Sequence, residues 1–318
     1  MATKRRVVDG LWQLNLGAVN AFLIDDAELT LIDTGVPGSA ASIMVAVQSF
    51  GKTVADIRHI LVTHCHPDHA GSLAALKRLS GARVYMHAAD AAMVRIGAGK
   101  RPMTAAPGVL RHVLYKLFVA RTSGKIAPCG VDQHVEDGME LPIAGGLTAI
   151  HVPGHCEGQL AFLWPRRGVL FVADAASNTP TLGLSLGYEN LEDGLRSLAK
   201  LAALTFEVAC FGHGAVIARH ASDRFKQRWA PTRHGLSGIT PNNDRKPTRE
   251  HMEQYEVERI ITGVLTEMAA PFRLLDVERT ATGWQAMLKQ TTGRVISVRV
   301  PDGPPVAIRT TVMQSIEA

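Results

Sequence analysis

The chain has 318 residues, 46% hydrophobic and 20% charged, with a formal charge of +5, so it can bury a sizeable core in one large domain or two smaller ones and is not wholesale disordered. That charge is too mild to imply nucleic acid by itself. The four cysteines (Cys65, Cys129, Cys156, Cys210) form no CxxC pair, which excludes a dense disulfide framework, and no run approaches the roughly 18 apolar residues of a spanning helix.

The opening MATKRRVVDGLWQLNLG is basic but has no apolar stretch of the secretory kind, so a cytoplasmic protein is the expectation. Residues 11–33 read as a small β-meander: Ala21–Ile24 and Leu29–Ile32 are apolar runs around the turn signal Asp25-Asp26. Ser39–Phe50 has helical character, and Ile57–Val62 looks like a buried strand. Ala70–Leu79 resumes as a helix with Leu73, Leu76 and Leu79 apolar, and Arg83–Met86 is a further strand. The stretch 95–131 then holds seven Lys or Arg and no Asp or Glu. Inside it, Leu110, Val113, Leu114, Leu117 and Phe118 fall on one helical face. Strand-like runs follow at Leu147–Val152, Gln159–Trp164 and Gly168–Val172, then a helix at Leu191–Leu204 and a strand at Glu207–Phe211. The Pro-, Gly- and Asn-bearing segment 229–247 reads as a linker. Beyond it, the pattern predicts a helix over 250–268 and short strands around 272–278, 283–289, 294–300 and 306–311. The expected organisation is a large domain over 1–225 with a basic insertion at 95–131, a linker over 226–249, and a small α+β region over 250–318.

The chemistry concentrates in Thr63-His64-Cys65-His66-Pro67-Asp68-His69, directly after a predicted strand and before a helix. The imidazoles of His64 and His66, two residues apart, can converge on one ion, while Asp68 and His69 turn toward a second; imidazole and carboxylate suit zinc and also accept iron or manganese. Four further strand ends supply what a two-metal site still lacks. His155, in Pro153-Gly154-His155, completes a three-His set. Asp174, after Ala173, is a carboxylate that can bridge two cations. His213, in Gly212-His213-Gly214, joins Asp68 and His69. Asp33, in Leu31-Ile32-Asp33-Thr34-Gly35, is placed to accept a hydrogen bond from a ligand imidazole and fix its orientation.

The HxHxDH run with LIDTG upstream and PGH, AD and GHG downstream resembles the metallo-β-lactamase superfamily over about residues 10–225. The resemblance implies an α/β fold, a four-layer αββα sandwich, here followed by the small C-terminal α+β appendage. It assigns His64, His66 and His155 to a first metal site, Asp68, His69 and His213 to a second, and Asp174 to the bridge. Two positions depart from the family pattern without removing a ligand: Phe211 stands where Pro often precedes GHG, and Cys156 where Ser or Thr usually follows PGH. Members that hydrolyse β-lactams place a Cys ligand where this chain has Asp174, which argues against antibiotic hydrolysis.

The implied chemistry is attack by a hydroxide shared between two zinc ions on a carboxylic ester, thioester or lactone, with Asp68 as the proton carrier. The glyoxalase II-like and lactonase-like branches both fit the ligand set, although a glyoxalase-type C-terminal region is helical and helps bind glutathione. Alternatives are a phosphodiesterase of the same fold, an iron-dependent sulfur dioxygenase-like oxidoreductase, and a non-catalytic binding protein, which the intact ligand set disfavours. A small-molecule substrate, anionic or partly apolar, is the expected partner; nucleic acid is not expected, and an oligomer is compatible with the sequence. Cys65 and Cys156 read as buried structural thiols, and Tyr188 and Asn190 as pocket-lining or plain loop residues. The basic insertion reads as a solvated surface, as a lid placing Leu114, Leu117 and Phe118 in the substrate pocket, or as a membrane contact with a helix that is short for strong binding.

Overall fold

The computed structural model describes residues 3–230, positions 257, 260, 261, 264 and 265, and residues 271–317 apart from 281, 303 and 304. Two compact units divide at Ser237/Gly238.

The first unit is a stack of two sheets. One sheet has the order β1 (Thr3–Val8), β2 (Leu11–Asn15), β3 (Asn20–Asp25), β4 (Leu29–Ile32), β5 (Ile57–Leu61), β6 (Arg83–Met86) and β8 (Gln133–His134). The other runs β16 (Val208–Phe211), β12 (Val169–Ala173), β11 (Leu160–Trp164), β10 (Leu147–His151) and β9 (Glu140–Leu141). Two minor ladders pair β7 (Thr104–Ala105) with β15 (Gly187–Tyr188), and β13 (Ser177–Asn178) with β14 (Leu182–Gly183).

Three separate apolar clusters mark three layer contacts. In the first, Leu29 and Leu31 of β4 and Ile60 of β5 meet Ile43 and Val47 of α1 (Ala40–Gln48) and Leu73 and Leu76 of α3 (Leu73–Ser80). In the second, Ile32, Phe22 and Leu61 face Phe162, Phe171 and Ala149 across the two sheets. In the third, Leu170 and Val172 of β12 pack on Leu198 and Leu201 of α6 (Leu191–Ala202) and Phe225 of α7 (Ala221–Trp229). The period-2 alternation of a strand sends neighbouring residues to opposite faces. The central strands here bury both faces, hence their continuous apolar runs and the helix–sheet–sheet–helix order.

Several elements differ from the expectations. The basic N-terminus forms β1, paired antiparallel with β2 from Thr3↔Asn15 onward. The helix expected at 70–79 is two helices, α2 (Pro67–Ala70) and α3; Pro67 opens the first, since its missing N–H costs nothing there. A further helix, α4 (Ala88–Arg95), precedes the basic insertion, and α5 (Val109–Phe118) lies within it.

In the second unit, β17 (Phe272–Thr280), β18 (Gly283–Gln290) and β19 (Val295–Pro301) form an antiparallel sheet. The strand expected at 306–311 is instead part of a helix, Pro305–Glu317. Its Ile-Arg-Thr-Thr-Val run favours strands, but Pro305 at the first turn and buried Ile308 and Val312, four apart, set a helical face. Of the helix expected over 250–268, the five described positions are helical and pack with Trp284 and Val298; the rest lies outside the described residues. Most of the expected linker also lies outside them, while α7 runs into its start, to Trp229.

Candidate metal centre

Five strands deliver the candidate ligands and Asp33 to one edge of the sandwich. β4 and β5 run parallel, as do β12 and β16, and β10 points the same way as β12 because two antiparallel steps through β11 separate them. The carboxyl ends of parallel strands are where α/β sheets leave room for a site. Asp33 follows β4, the His64–His69 loop follows β5, His155 follows β10, Asp174 follows β12 and His213 follows β16. Asp33 and Ala173 take positive φ, 61° and 51°, turning the chain sharply at the strand ends.

The side chains meet as two overlapping groups. In the first, His66 Nδ1 lies 3.0 Å from His155 Nε2, and the His64 ring centroid lies 4.6 and 5.1 Å from those of His66 and His155. In the second, His213 Nε2 is 3.2 Å from Asp68 Oδ2, and His69 Nε2 is 3.9 Å from the same oxygen. Asp174 reaches both: Oδ2 is 3.2 Å from His213 Nε2 and 3.6 Å from His155 Nε2, and Oδ1 is 3.5 Å from His69 Nε2. The sets His64–His66–His155 and Asp68–His69–His213 each bring one donor atom per residue within 4.8 Å of the others.

Hydrogen bonds fix which nitrogen each ring turns inward. Nδ1 of His155 donates to Gly187 O at 2.7 Å, Nδ1 of His213 to Ala18 O at 2.7 Å, and Nδ1 of His69 to Asp33 Oδ2 at 2.8 Å. Thr63 donates its hydroxyl to Asp33 and accepts from His64 Nδ1 at 3.0 Å. The opposite nitrogens then carry lone pairs facing the centre. Nε2 of His64, His66 and His69 and Oδ1 of Asp174 are buried with no hydrogen-bond partner. Buried polar atoms are ordinarily paired. His64, His69 and Asp174, which carry three of these unpaired atoms, also form one close group, while His66 turns Nδ1 toward His155; unpaired buried atoms of this kind are what a cation site requires, so the residues present fit the metal ions that the motif implies.

The electrostatics agree. Burial and the neighbouring imidazoles drive His64 well below its ordinary pKa, and burial, with His155 beside it, takes His66 down to about 3. Burial also tends to neutralise His69, but Asp174, Asp33 and Asp68 outweigh it and lift His69 to about 9. Burial tends to raise Asp174 and Asp68, yet the adjacent imidazoles hold both far below the carboxylate range. Burial tends to lower His213 as well, but Asp174 and Asp68 outweigh it and raise it; the carboxylates that favour a proton there would equally favour a cation.

A third group, unforeseen in the sequence, ties the ligand loops together. Asp90 of α4 is fully buried. It accepts from Cys65 N at 2.9 Å, Gly158 N at 3.1 Å, Cys156 Sγ at 3.1 Å and Arg101 Nη1 at 2.7 Å. One carboxylate therefore joins the His64–His66 loop to the loop of His155. A lone acid inside Ala88-Ala89-Asp90-Ala91-Ala92 was the available sequence signal. Cys65 and Cys156 are buried, 3.6 Å apart, in this group. Asn20 holds the Gly212–Gly214 turn by donating to Phe211 O and Gly214 O. Tyr188 is buried with its ring 5.9 Å from that of His155, whereas Asn190 caps α6 by accepting from Glu192 N and Asp193 N. Leu114 is half-buried, and Leu117 and Phe118 are exposed.

The sequence profile described as the metallo-beta-lactamase superfamily matches residues 14–213, which contain every candidate ligand named above. The chain belongs to this superfamily. It is 30% identical over 238 residues to YobT of Bacillus subtilis (strain 168), covering 68% of this chain and 93% of that protein. It is 31% identical over 202 residues to a hydroxyacylglutathione hydrolase of Cereibacter sphaeroides (strain ATCC 17025 / ATH 2.4.3), covering 61% of each; the match thus spans about three-fifths of that enzyme. A metallo-beta-lactamase family protein of Thermus thermophilus superposes with a TM-score of 0.53 at 27% identity, covering 70% of this chain and 80% of that one. The superfamily places this chain among metallo-hydrolases, and the αββα sandwich expected from the motifs is the observed fold.

Proposed function

We propose that the chain is a two-metal hydrolase that cleaves a carboxylic ester, thioester or lactone. The observation that carries this reading is the meeting of His64–His66–His155 and Asp68–His69–His213 at Asp174, with buried nitrogens of His64 and His69 and an oxygen of Asp174 left unpaired. His64, His66 and His155 would hold one ion, Asp68, His69 and His213 the other, and Asp174 both. Two bound divalent ions, zinc by ligand type, would bring the pKa of water toward neutrality and polarise the scissile carbonyl.

The protein's own part is orientation and proton handling. Asp33, Thr63, Gly187 O and Ala18 O hold the imidazole planes. The Asp68 and His213 side chains, 36% and 29% exposed, are the solvent-facing members of a site whose other candidate ligands are buried. A substrate therefore reaches the centre past these two. Asp68, the more open carboxylate, is suited to take a proton from water and pass it to the leaving oxygen or sulfur.

The similarity to a hydroxyacylglutathione hydrolase favours an acyl bond over a phosphodiester. The three-stranded sheet of the second unit favours a substrate other than a glutathione thioester, whose binding by the glyoxalase-type branch uses a helical region. The test is metal analysis followed by assay of zinc-loaded protein against lactones, acyl thioesters and bis(aryl) phosphodiesters. The expected result is close to two zinc per chain and turnover confined to acyl substrates. One tightly held iron with oxygen uptake, or phosphodiesters as the best substrates, refutes the reading.

A further inference from the structure

Helix α5 is amphipathic, but it buries no side chain fully and leaves most of its apolar ones exposed. Only Arg111, Leu114 and Tyr115 are half-buried, with Tyr115 donating to Met103 O at 2.6 Å and lying against Gly187, while the rest of the helix, apolar stripe included, is exposed. Val109, Leu110, Val113, Leu117 and Phe118 are between 47% and 84% exposed, and Ile96 beside the insertion is 69% exposed. A soluble surface rarely presents so many large apolar side chains on one short element without an occupant.

The charge around this face identifies the occupant. Residues 95–131 carry seven Lys or Arg and no Asp or Glu, and the adjoining segment 175–188 has no acid either. Among the described residues, Arg95, Lys116, Arg121 and Lys125 make no ion pair, so their charge is available. Arg111 and Arg228 converge near Gly183, adding positive charge at the foot of the helix. No described helix is long and apolar enough to cross a membrane. An exposed apolar stripe on a segment that carries unpaired cations and no carboxylate of its own complements a surface with an apolar interior and an anionic skin.

We propose that the outward face of α5 docks onto the surface of an anionic lipid bilayer. Leu110, Val113 and Leu117 enter the acyl boundary, and Lys116, Arg121 and Lys125 lie at the headgroup phosphates. Ten helical residues give little apolar area for anchoring. The cations supply the second attraction that a short helix needs. The base of the insertion abuts the ligand loop, since a Cβ at Gly99 would lie 2.8 Å from Cys65 O. Lys100 ties this base to the end of α5 by donating to Val119 O at 2.6 Å. Docking would thus hold the hydrolytic centre beside the bilayer and favour amphiphilic acyl substrates. That last consequence rests on the proposed hydrolase reading; the docking itself does not.

The test is co-sedimentation of the full chain with vesicles of phosphatidylglycerol and phosphatidylcholine in equal parts, against phosphatidylcholine alone. At about 0.1 M salt the anionic vesicles are expected to bind roughly tenfold more protein or better, with the difference shrinking at about 0.5 M as charges are screened. The triple variants Val109→Ser/Leu110→Ser/Val113→Ser and Lys116→Gln/Arg121→Gln/Lys125→Gln should each lower binding at least roughly tenfold, with metal content and circular dichroism as wild type. Three results overturn the proposal: no recovery with either vesicle, binding indifferent to lipid charge and to both variants, or a soluble dimer that the Ser variant dissociates. The last result assigns the face to a second copy of this chain. Metal content is read independently, so failure here leaves the hydrolase reading standing.

Discussion

Replacing Asp90 by Asn tests whether one buried carboxylate braces both ligand loops. The side chain is fully buried and accepts from four donors, two of them the backbone N–H groups of Cys65 and Gly158. An amide of the same shape keeps one acceptor oxygen and turns the other end into a donor, so in either orientation an N–H of Cys65 or Gly158 faces another N–H. An unsatisfied buried donor costs about 1–3 kcal/mol. Losing the partner of a buried charge costs about 3–5 kcal/mol. Here the second figure must be discounted, because the Arg101 side chain is 18% exposed and retains Glu157 at 3.4 Å and Glu189 at 3.5 Å. A combined loss of about 3 kcal/mol follows, or a fall of roughly 6–12 °C in the melting point of a unit this size. Calorimetry should follow the first unit's own transition, because a two-unit chain need not melt in one step. Zinc affinity should fall with stability, since His64, His66 and His155 lie on the two loops that Asp90 joins. Arg101→Gln alone should be milder, and the double variant less damaging than the sum of the two. If Asp90→Asn melts within about 2 °C of wild type and binds zinc normally, the bracing role is wrong.

The remaining predictions concern the same edge of the sandwich. Asp174→Ala should remove one metal equivalent preferentially and cut turnover by orders of magnitude while the fold persists; full activity would refute its bridging position. Asp33→Asn should weaken metal binding roughly 10–100-fold, read by chelator competition, because Asp33 orients His69 directly and His64 through Thr63. Gly212→Ala should also lose metal, since its new Cβ would lie 2.1 Å from Asp174 Oδ1 and 2.5 Å from His69 Cε1, whereas Gly130→Ala, with nothing within 4 Å, should not. Acid should close the gap between wild type and Asp90→Asn. Burial tends to raise Asp90, but Arg101, Cys156 and Cys65 N–H together hold it below its ordinary value. A carboxylate depressed in the folded state contributes stability above its unfolded pKa of about 4, and that contribution is lost as pH falls through the folded pKa. Melting points measured from pH 7 down to about 3 should therefore converge, and a constant difference would contradict the assignment.

The candidate ligands were legible in the sequence because they lie in short turns that follow apolar strands, and local pattern reveals strand ends. Period-2 burial, the GHG and PGH turns and the HxHxDH run all act over a few residues, so Asp33, His64 and Asp174 could be read singly. What residue spacing could not decide was anything set by distant packing. Asp90 lies some twenty residues past the His cluster, and its part depends on α4 placing it between two loops 91 residues apart, Cys65 and Cys156. The apolar stripe of α5 was visible, but its direction was not. A helical period names a face without saying what it meets, and here Arg111, Leu114 and Tyr115 form the half-buried side. The run at 306–311 read as a strand from its β-branched residues. The apolar side of the second unit's sheet instead needed a helical face, and burial of Ile308 and Val312 overrode local preference. Local sequence determined which residues end strands and can bind metal; tertiary packing decided which side chains brace them and which faces remain exposed, because those outcomes depend on contacts that no short window contains.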